Sequence, residues 1–201
     1  MQINENLNLV VPIRSDDKGV QVYGFHTPIS REVFEANYRI LAATKSSLAS
    51  KGTYFQMDAG PRIAALTLKD EAKKDAADRG DFDDAGNPKD GAATALLAEL
   101  KRLTMVLAPG PDGWDSLPVD AAIQQKIIDA DEWREAESAI TFFTCHYAMG
   151  RRAERERIAQ ATASLLKGSS TSSPLSAFAS SLPTLTKEGS SAKKAASSVP
   201  S

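Results

Sequence analysis

Apolar positions alternate with polar ones near the start of the chain and then switch to helical spacing. Leu7 to Ile13 is apolar and rich in β-branched residues, and Val20-Gln21-Val22-Tyr23-Gly24-Phe25 alternates. Between them, Ser15-Asp16-Asp17-Lys18-Gly19 supplies turn residues, with Gly19 free to take a positive φ. The segment therefore reads as a β-hairpin. Pro12 has no N–H to give to a ladder, so the first strand is expected to lie at an edge or to end there.

Helical spacing follows. Thr27-Pro28 has the residues of a helix start. Val33, Phe34, Asn37, Tyr38, Leu41 and Ala42 recur on one face, and Gly52 marks the stop. A second helix is expected from Pro61 to about Ala77, with a thin apolar stripe of Ile63, Leu66 and Ala72. Asp78 to Gly91 is a loop dense in Asp, Gly, Asn and Pro. A third helix is expected from Ala92 to Leu107, because Leu96, Leu97, Leu100, Leu103, Val106 and Leu107 form a broad apolar face. Pro109 to Gly113 breaks it. Trp114 to Pro118 leads into a short helix from Val119 to about Ile128. A long last helix starts near Asp129 or Asp131 and runs to about Lys167, with Gly150 as the point for a kink.

From Gly168 onward the text is Ser, Thr, Ala and Pro with scattered Leu and one Phe. Such a stretch buries little apolar surface against an ordering cost of roughly 1–2 kcal/mol per residue. The pattern as a whole predicts a mainly α (α+β) chain. An N-terminal β-hairpin precedes about four to five helices in one domain over 1–167, and 168–201 forms a disordered Ser-rich tail or linker.

Charge narrows the range of partners. The formal net charge is -2, so no global basic field exists to hold nucleic acid or an anionic membrane. No stretch approaches the roughly 18 apolar residues of a membrane span. The N-terminus lacks the positive start and apolar run of a signal peptide. The single cysteine, Cys145, cannot form an internal disulfide. Cytosol is the expected compartment.

Catalytic and metal chemistry find little to work with. Asp81, Asp83 and Gly86 match the opening of a calcium loop, but Ala85 and Ala92 stand where two ligands belong. Cys145 and His146 are neighbours in a helix, so they point about 100° apart and do not face each other. Together with His26 they are too few for a His- and Cys-based zinc site. His26 is expected to make a local hydrogen bond. Arg151, Arg152, Arg155 and Arg157 are interleaved with Glu154 and Glu156, which reads as a solvated helix face rather than a nucleic-acid stripe. Neither an enzyme nor a cofactor is expected. Trp133, Phe143 and Tyr147 fall at helical spacing with Phe142 beside them. They read as a core face, part of which could dock a partner helix.

The stretch from Leu96 to Arg157 resembles the tail assembly chaperones of long-tailed bacteriophages. The resemblance is carried by Leu97-Ala98-Glu99-Leu100-Lys101-Arg102-Leu103-Thr104, by Gly113-Trp114-Asp115-Ser116-Leu117-Pro118-Val119-Asp120-Ala121-Ala122, and by Glu135-Ala136-Glu137-Ser138-Ala139-Ile140-Thr141-Phe142-Phe143-Thr144. The resemblance implies a protein of the host cytoplasm, absent from the mature virion. It would bind the tape measure protein and keep it soluble while tail tube subunits polymerise around it. Trp133, Phe142, Phe143 and Tyr147 would then be the partner-binding residues. A longer frameshifted form, with Lys193-Lys194 in the slippery run, would recruit tail tube protein. The alternatives are a structural virion protein of the tube or connector and a nucleic-acid-binding regulator.

Overall fold

The computed structural model describes residues 7–17, 19–111 and 113–183. Strand β1 (Asn8–Asp16) pairs antiparallel with β2 (Gly19–His26) across a turn in which Gly19 has φ 118°. β1 passes through Pro12 rather than ending there. The register shifts between Pro12 and Arg14, and a bulge is a place where proline costs no ladder bond.

Four helices follow. They are α1 (Arg31–Ser50), α2 (Thr53–Asp58), α3 (Gly60–Asp78) and α4 (Gly91–Arg102). Ser30, not Thr27, caps α1, its hydroxyl accepting the Val33 N–H at 3.2 Å. The chain then returns to the sheet as β3 (Thr104–Gly110) and turns back as β4 (Gly113–Pro118). Next come α5 (Val119–Gln124) and α6 (Ala130–Tyr147). A 3-10 turn at Arg152–Glu154 leads into α7 (Arg155–Leu165). Strand β5 (Ser169–Thr171) and helix α8 (Leu175–Ser181) end the described chain.

A mainly helical chain with one hairpin is therefore not what forms. The fold is mixed α+β, with a five-stranded antiparallel sheet ordered β4-β3-β2-β1-β5. Leu103 to Leu107, expected as helix, is mostly strand. Thr104, Val106 and Ala108 point to the helices while Leu107 points to the opposite face, and all four are buried. Because both faces of the sheet are covered, the strand shows no polar alternation, and its run of apolar residues mimics a helical stripe. The expected tail from Gly168 also needs correction, since β5 and α8 lie inside it. The rest of that expected tail, 184–201, lies outside the described residues. The long last helix is two helices, and the break falls at 148–154, around Gly150.

The helices cover one face of the sheet. Leu9, Val11, Val22 and Val106 meet Leu41, Leu68, Leu100 and Phe143 in the main core. α3 and α6 approach closely because small residues line the contact. A Cβ on Gly60 would come within 3.0 Å of the Phe142 ring, and Ala64 and Ala65 continue the seam. α6 starts on a capping box in which Asp129 accepts from Glu132 N–H and Glu132 accepts from Asp129 N–H.

Candidate functional site

The four aromatic side chains singled out from the sequence are all interior. Trp133 is 6% exposed, Phe142 3%, Phe143 0% and Tyr147 4%. Phe143 stacks on Tyr147 at 5.1 Å between ring centroids, and Phe142 lies on the His146 ring at 4.3 Å. The Tyr147 hydroxyl accepts the Leu7 N–H at 3.2 Å. These contacts build the core, and none of the four rings forms an open docking face in this fold. α6 is enclosed on most of its circumference. Thr141 and Thr144 are buried as well, each satisfying its hydroxyl on the carbonyl one turn back, Glu137 and Ile140.

The chemistry-bearing residues are held in structural contacts. Cys145 is fully buried, and burial pushes its thiol up to about 12. His146 contacts Gln56 through Nε2 at 2.9 Å and the Phe142 carbonyl through Nδ1 at 2.8 Å, so it offers the thiol no base. His26 lies 3.0 Å from the Thr104 hydroxyl, which itself donates to the Leu100 carbonyl at 2.7 Å. That geometry puts the imidazole proton on Nδ1, and Nε2 is left buried without a partner. Burial lowers the His26 pKa to about 3. The acidic loop is closed by Asp83, which accepts from the backbone of Ala85 and Asn87. Lys89 pairs with Asp81 at 2.9 Å. Among the described residues no group of three or more His, Cys, Asp or Glu is placed to hold a metal ion.

The opposite face of the sheet is different. Val10, Phe25 and Leu107 form a second, smaller core there, with half-buried Tyr23 and Trp114 packed against it. Residues directly opposite in an antiparallel pair share a face. Pro12 opposite Tyr23, and Met105 opposite Phe25, therefore extend the same surface and stay half-buried. None of these seven positions is charged.

Among the described residues, α8 is the helix that covers this surface. Leu175, Phe178, Ala179 and Leu182 face the sheet, at the i, i+3, i+4, i+7 spacing of one helix face. Phe178 stands edge-on to Tyr23 at 6.3 Å and tilted against Phe25 at 5.8 Å. Trp114 Nε1–H donates to the Pro183 carbonyl at 3.0 Å. Yet α8 has 7 residues, none of them buried, and no side-chain cap. Ordering that many residues costs roughly 7–14 kcal/mol. Fully burying a Leu or Phe returns roughly 1.5–3 kcal/mol, and here Leu175, Phe178 and Leu182 are only partly covered. These side chains alone do not offset the ordering cost, so α8 is a weakly held cover.

A cleft of about 470 Å³ opens beside Tyr147, between Ile29, Phe34 and Met149. Two of its three arginines are engaged: Arg31 pairs with Glu35 at 2.6 Å, and Arg155 Nε donates to the Gly150 carbonyl. The break before α7 also separates Arg151 from Arg155, so no continuous basic stripe forms from them. Among the described residues no helix is long and apolar enough to cross a membrane. Comparison with known proteins gives no match: no family model, no curated protein and no solved structure is similar to this chain.

Proposed function

We propose that this chain is a tail assembly chaperone of a long-tailed bacteriophage, which binds the tape measure protein and keeps it soluble during tail tube polymerisation. The observation that carries the reading is the uncharged apolar sheet face of Val10, Tyr23, Phe25, Leu107 and Trp114, closed among the described residues by a short helix with no buried residue. A protein that shields apolar helices needs such a surface and must cover it when alone, because exposed apolar patches of a few hundred Å² promote association. The segments resembling the chaperone family fall on α4, on β4 with α5, and on α6, and one of them contributes Trp114 to this face.

In this reading the protein acts in the host cytoplasm and is absent from the mature virion. A frameshifted longer form would add a segment that recruits tail tube protein. Co-expression with the tape measure protein of the same phage tests it. The tape measure protein should move from the pellet to the soluble fraction and co-purify with this chain. A pellet unchanged by co-expression removes the reading. Recovery of this chain from purified particles would favour a structural tube or connector protein instead.

A further inference from the structure

We propose that the outer sheet face is the docking surface for an amphipathic helix of the partner, and that α8 is an internal stand-in displaced when that helix arrives. The proposal rests on the chaperone reading, and it adds where the partner binds, what its helix looks like and what occupies the place beforehand.

α8 shows the shape of the ligand. It lays Leu175, Phe178, Ala179 and Leu182 on the sheet at the spacing by which helices fill apolar grooves. Phe178 is the anchor, held between Tyr23 and Phe25. The side turned away carries Ser176, Ala177, Ser180 and Ser181, all exposed. The apolar surface extends beside α8 to Pro12 and Met105, both half-buried.

The chemistry of the site also says what it refuses. Among the described residues no charged side chain lies on the face to pair with an ion, so a Lys or Glu on the docking side of a helix would be buried alone. The preferred ligand is a helix of three or more turns with Leu, Phe, Ala and Leu at the α8 spacing and its charges on the far side. α8 can leave without disturbing the main core, because its apolar side chains pack on the second cluster and not on the first. Residues 168–183 contain no charge, so nothing ionic retains them. Displacing the stand-in reduces the apparent affinity of the incoming helix by the fraction of chain in which α8 is off.

The test uses the full chain in three forms: unaltered, Phe178→Asp and Ala179→Pro. The first variant removes the anchor, and the second breaks the α8 backbone without adding charge. The probe is a fluorescein-labelled helix of about 18 residues carrying the α8 spacing twice, long enough to be helical alone. Both variants should still unfold in one cooperative transition, lowered by no more than the lost docking of α8, and bind the probe at least about tenfold more tightly. Probe binding to the unaltered chain should shift the Trp114 emission, and Trp114→Phe should abolish that shift. Equal affinity in all three forms, or no binding to any, overturns the proposal. So does a dimer of the unaltered chain in which α8 crosses to the second copy. Probe binding by the opened variants with an unchanged tape measure pellet supports the surface while the chaperone reading falls. A solubilised tape measure protein with no difference among the three forms does the reverse.

Discussion

Arg14 and Glu132 tie the β1 bulge to the first turn of α6 through two parallel N–H···O contacts, each 2.6 Å long. The same carboxylate accepts the Asp129 N–H at 2.9 Å, so one side chain serves both the ion pair and the helix cap. The hydrogen bond from Arg14 is the main reason the Glu132 carboxyl titrates below its ordinary range. A carboxyl held low in the folded state adds stability above its unfolded pKa and loses it as pH falls through the folded one. Glu132→Gln keeps an oxygen for the cap but removes the ion. With the Arg14 side chain 44% exposed, solvent screening limits the cost to about 1 kcal/mol at neutral pH, a fall of roughly 2–4 °C in melting temperature. The difference from the unaltered chain should shrink on acidification. Melting curves at pH 7 and pH 3 check both points.

His26 sets a second pH dependence. Its folded pKa is lowered to about 3 by burial, against 6.5 for the free side chain. Between those values the unfolded chain binds a proton that the folded one refuses. Stability therefore rises with pH across that window and is lost as pH falls from 6.5 towards 3. The full loss is on the order of 5 kcal/mol. His26→Leu removes the titration and the unpartnered Nε2 together, while Thr104 keeps its bond to Leu100. Urea midpoints at pH 7, 5 and 4 should fall less steeply in this variant. Parallel curves would show that His26 is not responsible.

Cys145 gives a readout of opening. Buried completely and raised to about 12, the thiol has almost no thiolate at pH 8. A disulfide reagent should label the folded protein only as fast as the core opens, and label the urea-unfolded chain at once. Labelling of folded protein at the rate of a small free thiol would contradict the burial.

The interior aromatics should behave as packing. Phe143→Ala should cost roughly 3–5 kcal/mol in urea unfolding, in line with removal of a fully buried ring. Tyr147→Phe loses the bond from Leu7 N–H and should cost about 1 kcal/mol. Neither should alter how tightly the folded fraction holds a helical probe. A loss of probe affinity with unchanged stability would return these rings to the docking surface.

The sequence made some elements legible and hid others for physical reasons. The β1–β2 hairpin could be read because Val20 to Phe25 alternates and the turn residues are explicit. α6 could be read from Asp129 because its cap is local chemistry. β3 could not, because an apolar cover on each face erases the alternation that marks a half-exposed strand. α8 was hidden by composition, although Leu175, Phe178, Ala179 and Leu182 already stood at helical spacing behind Pro174. The adjacent pair Phe142 and Phe143 held a usable signal too. Neighbours about 100° apart on a helix that are both large and apolar indicate a helix buried on more than one side, not a single docking stripe.

The path of the chain after α7 carries a mechanical consequence. β5 lies at one margin of the sheet beside β1, whereas Pro183 ends against Trp114 on β4 at the other. The polypeptide crosses the width of four inter-strand steps, roughly 19 Å, in a dozen residues. The described chain therefore ends at the β4 margin. Traction on Pro183 strains the Trp114 link first, then lifts Leu182, then Ala179 and Phe178, and reaches Leu175 last. A load borne by the far end of the chain is thus converted into stepwise peeling from one side, with β5 as the hinge that remains.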